Sequence, residues 1–428
     1  MLLAPLLWLI ELGHAVTSSC NSSIPSNLTS PVASNGGVHL RVHRSEQVIF
    51  NRSEAIHAAH GLGFATREGD LQVMVGVDFR NELIKPFAPP CGVPASSPVF
   101  RCVQSRAKRS ADQGQSWQLQ PVDPMTNRSL TEFSNYAFQF DDGEVLQFTG
   151  VQLGAPAAVH GSALATVAME TIRSFDGARS QNKTVAQVTA PAGLLAEGWL
   201  STSHSAIVQL HDGTLLANAY APWKGVDGYN EPAKRSKTRV VIIRSTDRGQ
   251  SWHYASTVAW DPINATAAEE RSSDCAVNGV CNGFDEATLA VVPTALGYSK
   301  AGESIVCILR SGGPLYRAFS MDGGASWSTP NVIAPHGVSP QAIFMENSNI
   351  LVVAYGRPDN YLRFSLDGGR TFLPEVCYNK VATQPYDGGE YDSVMQIPGT
   401  NTLLLTYAVS TTPYDMEIVG MYLNVTRF

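Results

Sequence analysis

Short apolar runs separated by turn residues recur along most of this 428-residue chain. A typical unit reads apolar strand, glycine-containing turn, second strand, polar loop and third strand, as in HSAIVQL, Asp212-Gly213, TLLANAYA and RVVIIR. Helical periodicity is nearly absent. Short strands that alternate with tight turns are typical of β-sheet proteins. The pattern therefore predicts an all-β protein.

Six such units follow one another, which predicts a β-propeller of six blades. The units span about 55–120, 134–185, 199–258, 284–330, 338–375 and 391 onward. In the first unit, strands are expected near Gly61–Thr66, Leu71–Phe79 and Val99–Val103. A further strand near 38–50 precedes the first unit, and we expect it to complete the last blade.

An octet of the form S-x-D-x-G-x-[ST]-[WF] recurs within these units. It occurs at Ser110–Trp117, Ser245–Trp252, Ser320–Trp327 and Ser365–Phe372, with a degenerate copy at Ser174–Ser180. The Asp can accept backbone N–H bonds within its own turn, and the glycine can take a positive φ. Such repeated hairpin turns favour a propeller over an array of β-sandwiches. Their aspartates are expected to be structural rather than catalytic: Asp112, Asp247, Asp322 and Asp367.

Charge and composition exclude several classes of partner. A net charge of −7 without any basic run argues against nucleic acid. No cysteine or histidine cluster has the spacing of a zinc site, and no cofactor is predicted. Beyond the N-terminus, no apolar run reaches the roughly 20 residues that span a bilayer. The sequence therefore predicts no transmembrane segment.

The N-terminus has the pattern of a secretory signal in residues 1–15, where LLAPLLWLI precedes the small-residue site Gly13-His14-Ala15. Residues 16–37 are rich in Ser, Asn and Pro and are expected to be flexible and glycosylated, which leaves 38–428 for the propeller. Seven N-x-[ST] sequons support a secretory route. They lie at Asn21, Asn27, Asn51, Asn127, Asn182, Asn264 and Asn424.

In an oxidising compartment some of the seven cysteines are expected to pair. Cys91/Cys102 and Cys275/Cys281 are plausible local disulfides because each pair lies within one polar loop. Cys307 lies in an apolar strand, where it is either a buried thiol or linked to Cys377.

Four polar residues outside the repeat stand at corresponding strand ends. Glu286 opens the first strand of unit four, and Arg310 ends the next strand. Arg357 takes the same place in unit five, and Tyr391 opens unit six. Blades arranged in a ring would project all four side chains into one central pocket. We therefore expect chemistry there.

With these four residues and the octets, the chain resembles the exo-sialidases, or neuraminidases, whose six-bladed propellers carry such Asp-box turns. The resemblance covers about residues 50–425. It implies a secreted glycoside hydrolase that cleaves a terminal sialic acid, or a similar acidic sugar, from glycans. It further implies a Tyr391 nucleophile with Glu286 as its base, and a clamp of Arg310 and Arg357 for the substrate carboxylate.

The chemistry suits this resemblance. A sialoside carries its carboxylate on the anomeric carbon, so an Asp or Glu nucleophile would meet like-charge repulsion that a neutral tyrosine avoids. A phenol has a pKa near ~10 and needs an adjacent base, which Glu286 would supply. Guanidinium groups bind carboxylates in a bidentate geometry that lysine cannot reproduce.

The chain also departs from the sialidase pattern. Sialidases place an Arg-Ile-Pro element where this chain has Gly61-Leu-Gly-Phe64, so the first arginine of the clamp is missing or comes from elsewhere in the chain. Val77-Asp78-Phe79-Arg80 resembles a strand end that carries another pocket arginine, which makes Arg80 a candidate. The family's aspartate acid/base has no clear match. Asp78 and Glu82 are the nearest carboxylates, and Asp78 is the candidate.

Two other functions remain open on the same fold. One is a non-catalytic carbohydrate-binding propeller, which a shallow pocket would favour. The other is a polysaccharide lyase that uses Tyr with His57, His60 or His204, which lie near predicted strand starts. Tyr391 within hydrogen-bond reach of Glu286 favours the hydrolase, whereas Tyr391 beside a histidine without a carboxylate partner favours the lyase.

Secretion is expected to remove residues 1–15 and to leave several sequons occupied. Expression in eukaryotic cells should yield a secreted protein whose N-terminal sequence starts at Val16 and whose mass drops on deglycosylation. A cytosolic, unglycosylated product that retains Met1 would rule out this prediction.

Overall fold

A computed structural model describes residues 37–51, 58–78, 103–123, 129–196, 200–222, 238–259, 283–293, 303–311, 313–381, 391–412 and 415–427. These residues form 25 strands and one short helix, α1 (Ala192–Leu195). They are therefore almost entirely β-sheet, as the sequence predicts. No helix among them is long and apolar enough to cross a membrane.

The strands group into six antiparallel units of four principal strands each, which are the six blades. Blade 1 contains β2 (Ala58–Ala65), β3 (Leu71–Asp78), β4 (Val103–Ser110) and β5 (Gln118–Leu119). Blade 2 contains β6 (Phe138–Gln139), β7 (Val145–Gln152), β9 (Leu164–Ser174) and β10 (Asn182–Pro191), and the short β8 (Ala157–Ala158) pairs with β9. Blade 3 contains β11 (Ile207–Gln209), β12 (Leu215–Pro222), β13 (Thr238–Ser245) and β14 (Ser251–Ala259).

The second half of the chain forms the remaining three blades. Blade 4 contains β15 (Asp285–Pro293), β16 (Glu303–Arg310), β17 (Leu315–Ser320) and β18 (Asn331–Ala334). Blade 5 contains β19 (Val338–Met345), β20 (Ile350–Gly356), β21 (Asn360–Ser365) and β22 (Val376–Asn379). Blade 6 contains β23 (Ser393–Gln396), β24 (Thr402–Thr412), β25 (Asp415–Arg427) and the N-terminal β1 (Val38–Phe50).

The ring of blades is closed by the N-terminal strand. β1 pairs antiparallel with β25 from Val38 opposite Arg427 to Phe50 opposite Ile418. The prediction that the strand near 38–50 completes the last blade is therefore confirmed. A second link joins blades 2 and 3, because their outermost strands β10 and β14 pair in parallel over three residues.

Apolar strands are buried on both faces because each blade packs between two neighbours. Successive side chains of a strand point to opposite faces. In β16, Val306 and Ile308 share an apolar cluster with Leu351 of blade 5, whereas Cys307 shares one with Ile242 of blade 3. This two-sided burial explains why the strand reads as a continuous apolar run.

The first strands of the blades surround the centre, and side-chain hydrogen bonds tie them together. Asn218 Nδ2 donates to the Ala287 carbonyl oxygen at 2.9 Å, which joins blade 3 to blade 4. The Val394 amide donates to Gln341 Oε1 at 3.0 Å, and the Gly63 amide donates to Ser393 Oγ at 2.9 Å. These bonds fix the strand ends that approach the centre.

The octets are hairpin turns between the third and fourth strands of their blades. In blade 4, Asp322 Oδ1 accepts the Ser326 amide at 2.9 Å, and the Ser326 hydroxyl donates to Asp322 Oδ2. Gly324 has φ +84°, and its amide donates to the Ser320 hydroxyl. Equivalent Asp–Ser or Asp–Thr bonds occur in the other three octets and in the degenerate copy around Asp176.

Two local expectations need correction or comment. The third strand of blade 1 is described as Val103–Ser110, which overlaps the strand expected near 99–103 only at Val103, and residues 99–102 lie outside the described residues. Cys307 is a free, buried thiol, so its alternative link to Cys377 is not formed. The pairs Cys91/Cys102 and Cys275/Cys281 lie outside the described residues, as does the predicted leader.

Replacing Asp322 by Ala should destabilise the fold by about 1–2 kcal/mol at neutral pH, because charge-assisted hydrogen bonds are lost in an exposed turn. Burial raises the pKa of Asp322, but hydrogen bonds from Ser326 and Ser320 outweigh it, and the net pKa is lowered. A lowered pKa stabilises the fold above the ordinary pKa and loses that contribution as pH falls through the shifted one.

Chemical denaturation of wild type and Asp322→Ala between pH 2 and pH 7 measures this effect, and the stability difference should shrink towards pH 2. Met321→Ala is the matched control, because the Met321 side chain lies in the same turn and is 53% exposed. An Asp322→Ala variant of wild-type stability at pH 7 would contradict the structural role.

Candidate active site

A bulge at the start of β15 shapes the centre of the ring. The pairing of β15 with β16 shifts register between Asp285 and Thr288, and Glu286 has φ +28°. In a regular strand, consecutive side chains point to opposite faces, whereas a bulge re-aims them. Here the carboxylates of both Asp285 and Glu286 approach the same guanidinium, that of Arg310.

Arg310 ends β16, directly opposite Asp285 in the strand pairing. Its Nη1 donates to the Glu286 carboxylate and, at 3.0 Å, to the Tyr391 hydroxyl oxygen. Its Nε lies 3.6 Å from Asp285 Oδ1. The Arg310 side chain is only 16% exposed, so these partners replace most of the water that a guanidinium binds.

Tyr391 reaches the same cluster from blade 6. Its hydroxyl donates to Glu286 Oε1 at 2.9 Å and lies 3.2 Å from Oε2. Burial raises the pKa of Tyr391, and Glu286 raises it further, although Arg310 acts in the opposite direction. The phenol is therefore neutral and points its proton at a carboxylate.

The two adjacent carboxyl groups have opposite pKa shifts. Burial alone would raise the pKa of Glu286, but Arg310 and the hydrogen bonds of the cluster lower it to about 2. Burial raises the pKa of Asp285 to about 7, because its attraction to Arg310 is weaker and Glu286 repels a second negative charge. Glu286 is thus the ionised member of the pair at neutral pH.

Arg357 follows β20 and is half-buried with φ +70°. Its positive charge opposes the rise in the pKa of Tyr391 that burial causes. Asp359, two residues after Arg357, holds the chain in place there. Its carboxylate accepts hydrogen bonds from the Val381 amide at 2.9 Å and from the Tyr361 hydroxyl at 3.2 Å.

The structure thus joins three of the six predicted site residues by an ion pair and hydrogen bonds: Glu286, Arg310 and Tyr391. Asp78 ends β3, a position equivalent to that of Arg310 at the end of β16, but its side chain lies outside the described residues. Arg80 also lies outside them, so its role stays a prediction.

Gly61, in the stretch where the clamp arginine is missing, has no room for a side chain of its own. Gly61 lies on β2, and its carbonyl oxygen accepts the Thr406 hydroxyl at 2.6 Å. A Cβ atom there would lie 2.7 Å from Ile418 Cγ2, closer than van der Waals contact allows. The close packing of blade 1 on blade 6 explains the glycine.

Three further aromatic side chains lie near the same cluster, those of His204, Tyr136 and Tyr220. The His204 ring centroid lies 6.3 Å from that of Tyr391 and 5.3 Å, edge-on, from that of Tyr136. Burial lowers the pKa of His204, although Glu286 opposes this. Burial and the nearby Glu286 raise the pKa of Tyr220 to about 12.

Tyr136 and Tyr220 were not predicted as site residues. Tyr136 precedes the first strand of blade 2, as Tyr391 precedes that of blade 6, and this equivalence is the signal that could have identified it. Tyr220 lies within the apolar strand β12, where nothing in the local sequence distinguishes it from a packing residue.

Backbone strain also concentrates at this face. Seven non-glycine residues have positive φ in the part of the chain that the structure describes. Four of them lie in hairpin turns: Gln113, Ala178, Arg248 and Asn349. The other three are Glu286, Ser339 and Arg357, at strand ends of blades 4 and 5. Such strained residues cluster at functional sites, which supports a function for this one.

The described ranges contain no group of three or more His, Cys, Asp or Glu residues that could hold a metal ion. The candidate site is thus a cluster of two carboxylates, one arginine and one tyrosine, next to the aromatic side chains of His204, Tyr136 and Tyr220.

No protein-family model and no curated protein sequence matches this chain. Solved structures do match. A protein of unknown function from Dyadobacter fermentans is 18% identical with a TM-score of 0.60, covering 90% of this chain and 99% of that chain. Penicillium chrysogenum α-L-arabinanase complexed with arabinobiose is 12% identical with a TM-score of 0.52, covering 88% and 98%.

Trypanosoma rangeli sialidase in complex with 2,3-difluorosialic acid is 12% identical with a TM-score of 0.48, covering 89% of this chain and 58% of that chain. The Dyadobacter and Penicillium matches confirm the prediction at the level of the fold. The chain is a six-bladed β-propeller of the kind found in arabinanase. Such low identities establish the fold and leave the reaction open.

Proposed function

We propose that this protein is a secreted glycoside hydrolase of sialidase type, which cleaves a terminal sialic acid or a similar acidic sugar from glycans. The observation that carries the proposal is the hydrogen bond from the Tyr391 hydroxyl to Glu286 at 2.9 Å. A neutral phenol beside an ionised carboxylate is the arrangement that an activated tyrosine nucleophile needs. The location of the chain outside the cytosol, after cleavage near Ala15, is part of this proposal.

In the proposed first step, the Tyr391 oxygen bonds to the anomeric carbon while the bond to the leaving oxygen breaks. The phenol proton passes to Glu286, and Asp78, the candidate acid, gives a proton to the leaving oxygen. In the second step, water attacks the anomeric carbon and gives a proton to Asp78. The bond from that carbon to the Tyr391 oxygen breaks, and Glu286 returns a proton to this oxygen. Tyr391, Glu286 and Asp78 all end as they began, as a retaining mechanism requires.

Arg310 and Arg357 are the proposed carboxylate clamp, with Arg80 as a further candidate. Both clamp residues act on Tyr391: Arg310 by a hydrogen bond at 3.0 Å and Arg357 through its charge. A carboxylate bound between them would place the adjacent anomeric carbon near the tyrosine oxygen. Arginine suits this role because its planar guanidinium matches a carboxylate.

A lyase is the second candidate function, and one observation favours it. His204 lies beside Tyr391, with ring centroids 6.3 Å apart, as an acid/base pair of a lyase would. The direct partner of the Tyr391 hydroxyl is Glu286, however, and this favours the hydrolase. Product analysis separates the two, because a lyase leaves an unsaturated sugar that absorbs in the ultraviolet and a hydrolase does not.

Tyr391→Phe should lower kcat by about 10³-fold or more, because the variant keeps the ring but removes the nucleophilic oxygen. Arg357→Ala should also lower turnover strongly, through loss of carboxylate binding. Sugar release from a panel of sialylated and uronic-acid glycans measures both effects.

The matched control is Tyr254→Phe, which removes a hydroxyl that lies 3.0 Å from that of Thr257 on the outer strand of blade 3. This variant should retain wild-type turnover. Robust turnover that survives both Tyr391→Phe and Arg357→Ala would refute the site assignment.

Simple sialosides should be poor substrates. Without an arginine at Gly61, the clamp lacks one charge-assisted bond worth about 1.5–3 kcal/mol, which corresponds to roughly tenfold to hundredfold weaker binding. We therefore expect another acidic sugar to be preferred over simple sialosides in the glycan panel. A kcat/KM for a simple sialoside above that for every other acidic glycan would contradict this expectation.

A further inference from the structure

Arg310 already has two carboxylate neighbours within its own blade. Glu286 contacts its Nη1, and Asp285 Oδ1 lies 3.6 Å from its Nε. The side chains of Asp285 and Arg310 are 17% and 16% exposed, and that of Glu286 is 7% exposed. One guanidinium therefore faces two carboxyl groups in a site with little water.

The carboxyl groups of Glu286 and Asp285 differ in the hydrogen bonds that they accept. Glu286 accepts from both Arg310 and Tyr391. Asp285 Oδ1 is buried, and no described group lies within hydrogen-bond distance of it. Its approach to Arg310 at 3.6 Å is an ion pair without a hydrogen bond. A buried carboxylate with weak compensation favours its neutral form.

A ligand carboxylate at the Nε side of Arg310 would meet Asp285 there. Two carboxylates at one guanidinium repel each other strongly where water is scarce. Protonation of Asp285 removes that repulsion and frees the positive charge for the ligand. A neutral ligand would not repel Asp285, so its binding would not require Asp285 to be protonated.

We propose that Asp285 is a specificity-determining residue, which occupies the side of Arg310 that an acidic sugar needs and yields it on taking up one proton. The inference rests on the proposed function, since it concerns the acidic sugar of that site. It assigns Arg310 two states: an internal ion pair with both carboxyl groups, and a clamp for the ligand with Asp285 neutral.

The groups around Asp285 leave it as the one that titrates near neutrality. Glu286 has a pKa of about 2, and Arg310 remains charged. Burial lowers the pKa of His204, and burial raises the pKa values of Tyr220 and Tyr391. Arg239 on β13 is buried, and β19 carries no titratable side chain. The raised pKa of Asp285, about 7, agrees with the proposed role.

The test is calorimetric binding of the S-methyl thioglycoside of N-acetylneuraminic acid, which resists hydrolysis, at pH 5.5, 7 and 8.5. Two buffers of different ionisation enthalpy give the number of protons taken up. Wild type should take up about one proton at pH 8.5, and its affinity should fall about tenfold per pH unit above pH 7. The carboxyl methyl ester of the same ligand should bind independently of pH.

Asp285→Asn should abolish both the proton uptake and the pH dependence, and should bind the acid at least about tenfold more tightly than wild type at pH 8.5. Asp70→Asn is the matched control, because Asp70 pairs with Arg109 at similar burial in blade 1, away from the pocket. This control should behave as wild type does.

Three results would overturn the proposal: pH-independent binding of the acid by wild type, proton uptake that persists in Asp285→Asn but vanishes in His204→Gln, and no binding of either ligand at any pH. The first needs no variant, so a folding defect cannot mask it. The proposed hydrolysis is judged separately by Tyr391-dependent sugar release, and either idea can fail while the other stands.

Discussion

The closure of the ring by β1 and β25 is the constraint on which the site depends. Glu286 and Arg310 come from blade 4, whereas Tyr391 comes from blade 6, the blade that β1 completes. A propeller brings such distant residues together only when every blade packs against both neighbours. Pairing from Val38–Arg427 to Phe50–Ile418 joins the two ends of the described chain and so fixes blade 6 in the ring.

Burial of charge at the centre is the second determinant. A guanidinium and two carboxylates removed from water are costly unless they compensate one another. The bulge at Glu286 permits this compensation, because it turns two consecutive side chains towards Arg310. The same arrangement keeps Tyr391 neutral and hydrogen-bonded, and it sets the unequal acidities of Asp285 and Glu286. The Arg310 guanidinium thus connects the bulge in blade 4, the acidities of both carboxyl groups and the candidate nucleophile Tyr391.

The repeated features could be predicted from the sequence, because turns and apolar strands are encoded locally. The Asp-box aspartates and the closing strand are examples. Glu286, Arg310, Arg357 and Tyr391 were found from their equivalent places in the repeat. Asp285 was missed because strand alternation would point it away from Glu286, and a bulge cannot be seen in one sequence. The strand Val103–Ser110 was predicted only at Val103, because its charged residues do not form the apolar pattern that served as the guide.

The central claim is that Tyr391 is the group that bonds to the sugar. A glycosyl fluoride of an acidic sugar with a second fluorine on the carbon beside the anomeric carbon slows the second step and accumulates the glycosyl-enzyme. Peptide mapping by mass spectrometry then locates the added mass. The account predicts one glycosyl group on the peptide that contains Tyr391, and none in Tyr391→Phe. A label on Glu286 or Asp285 would contradict it, as would turnover without any label.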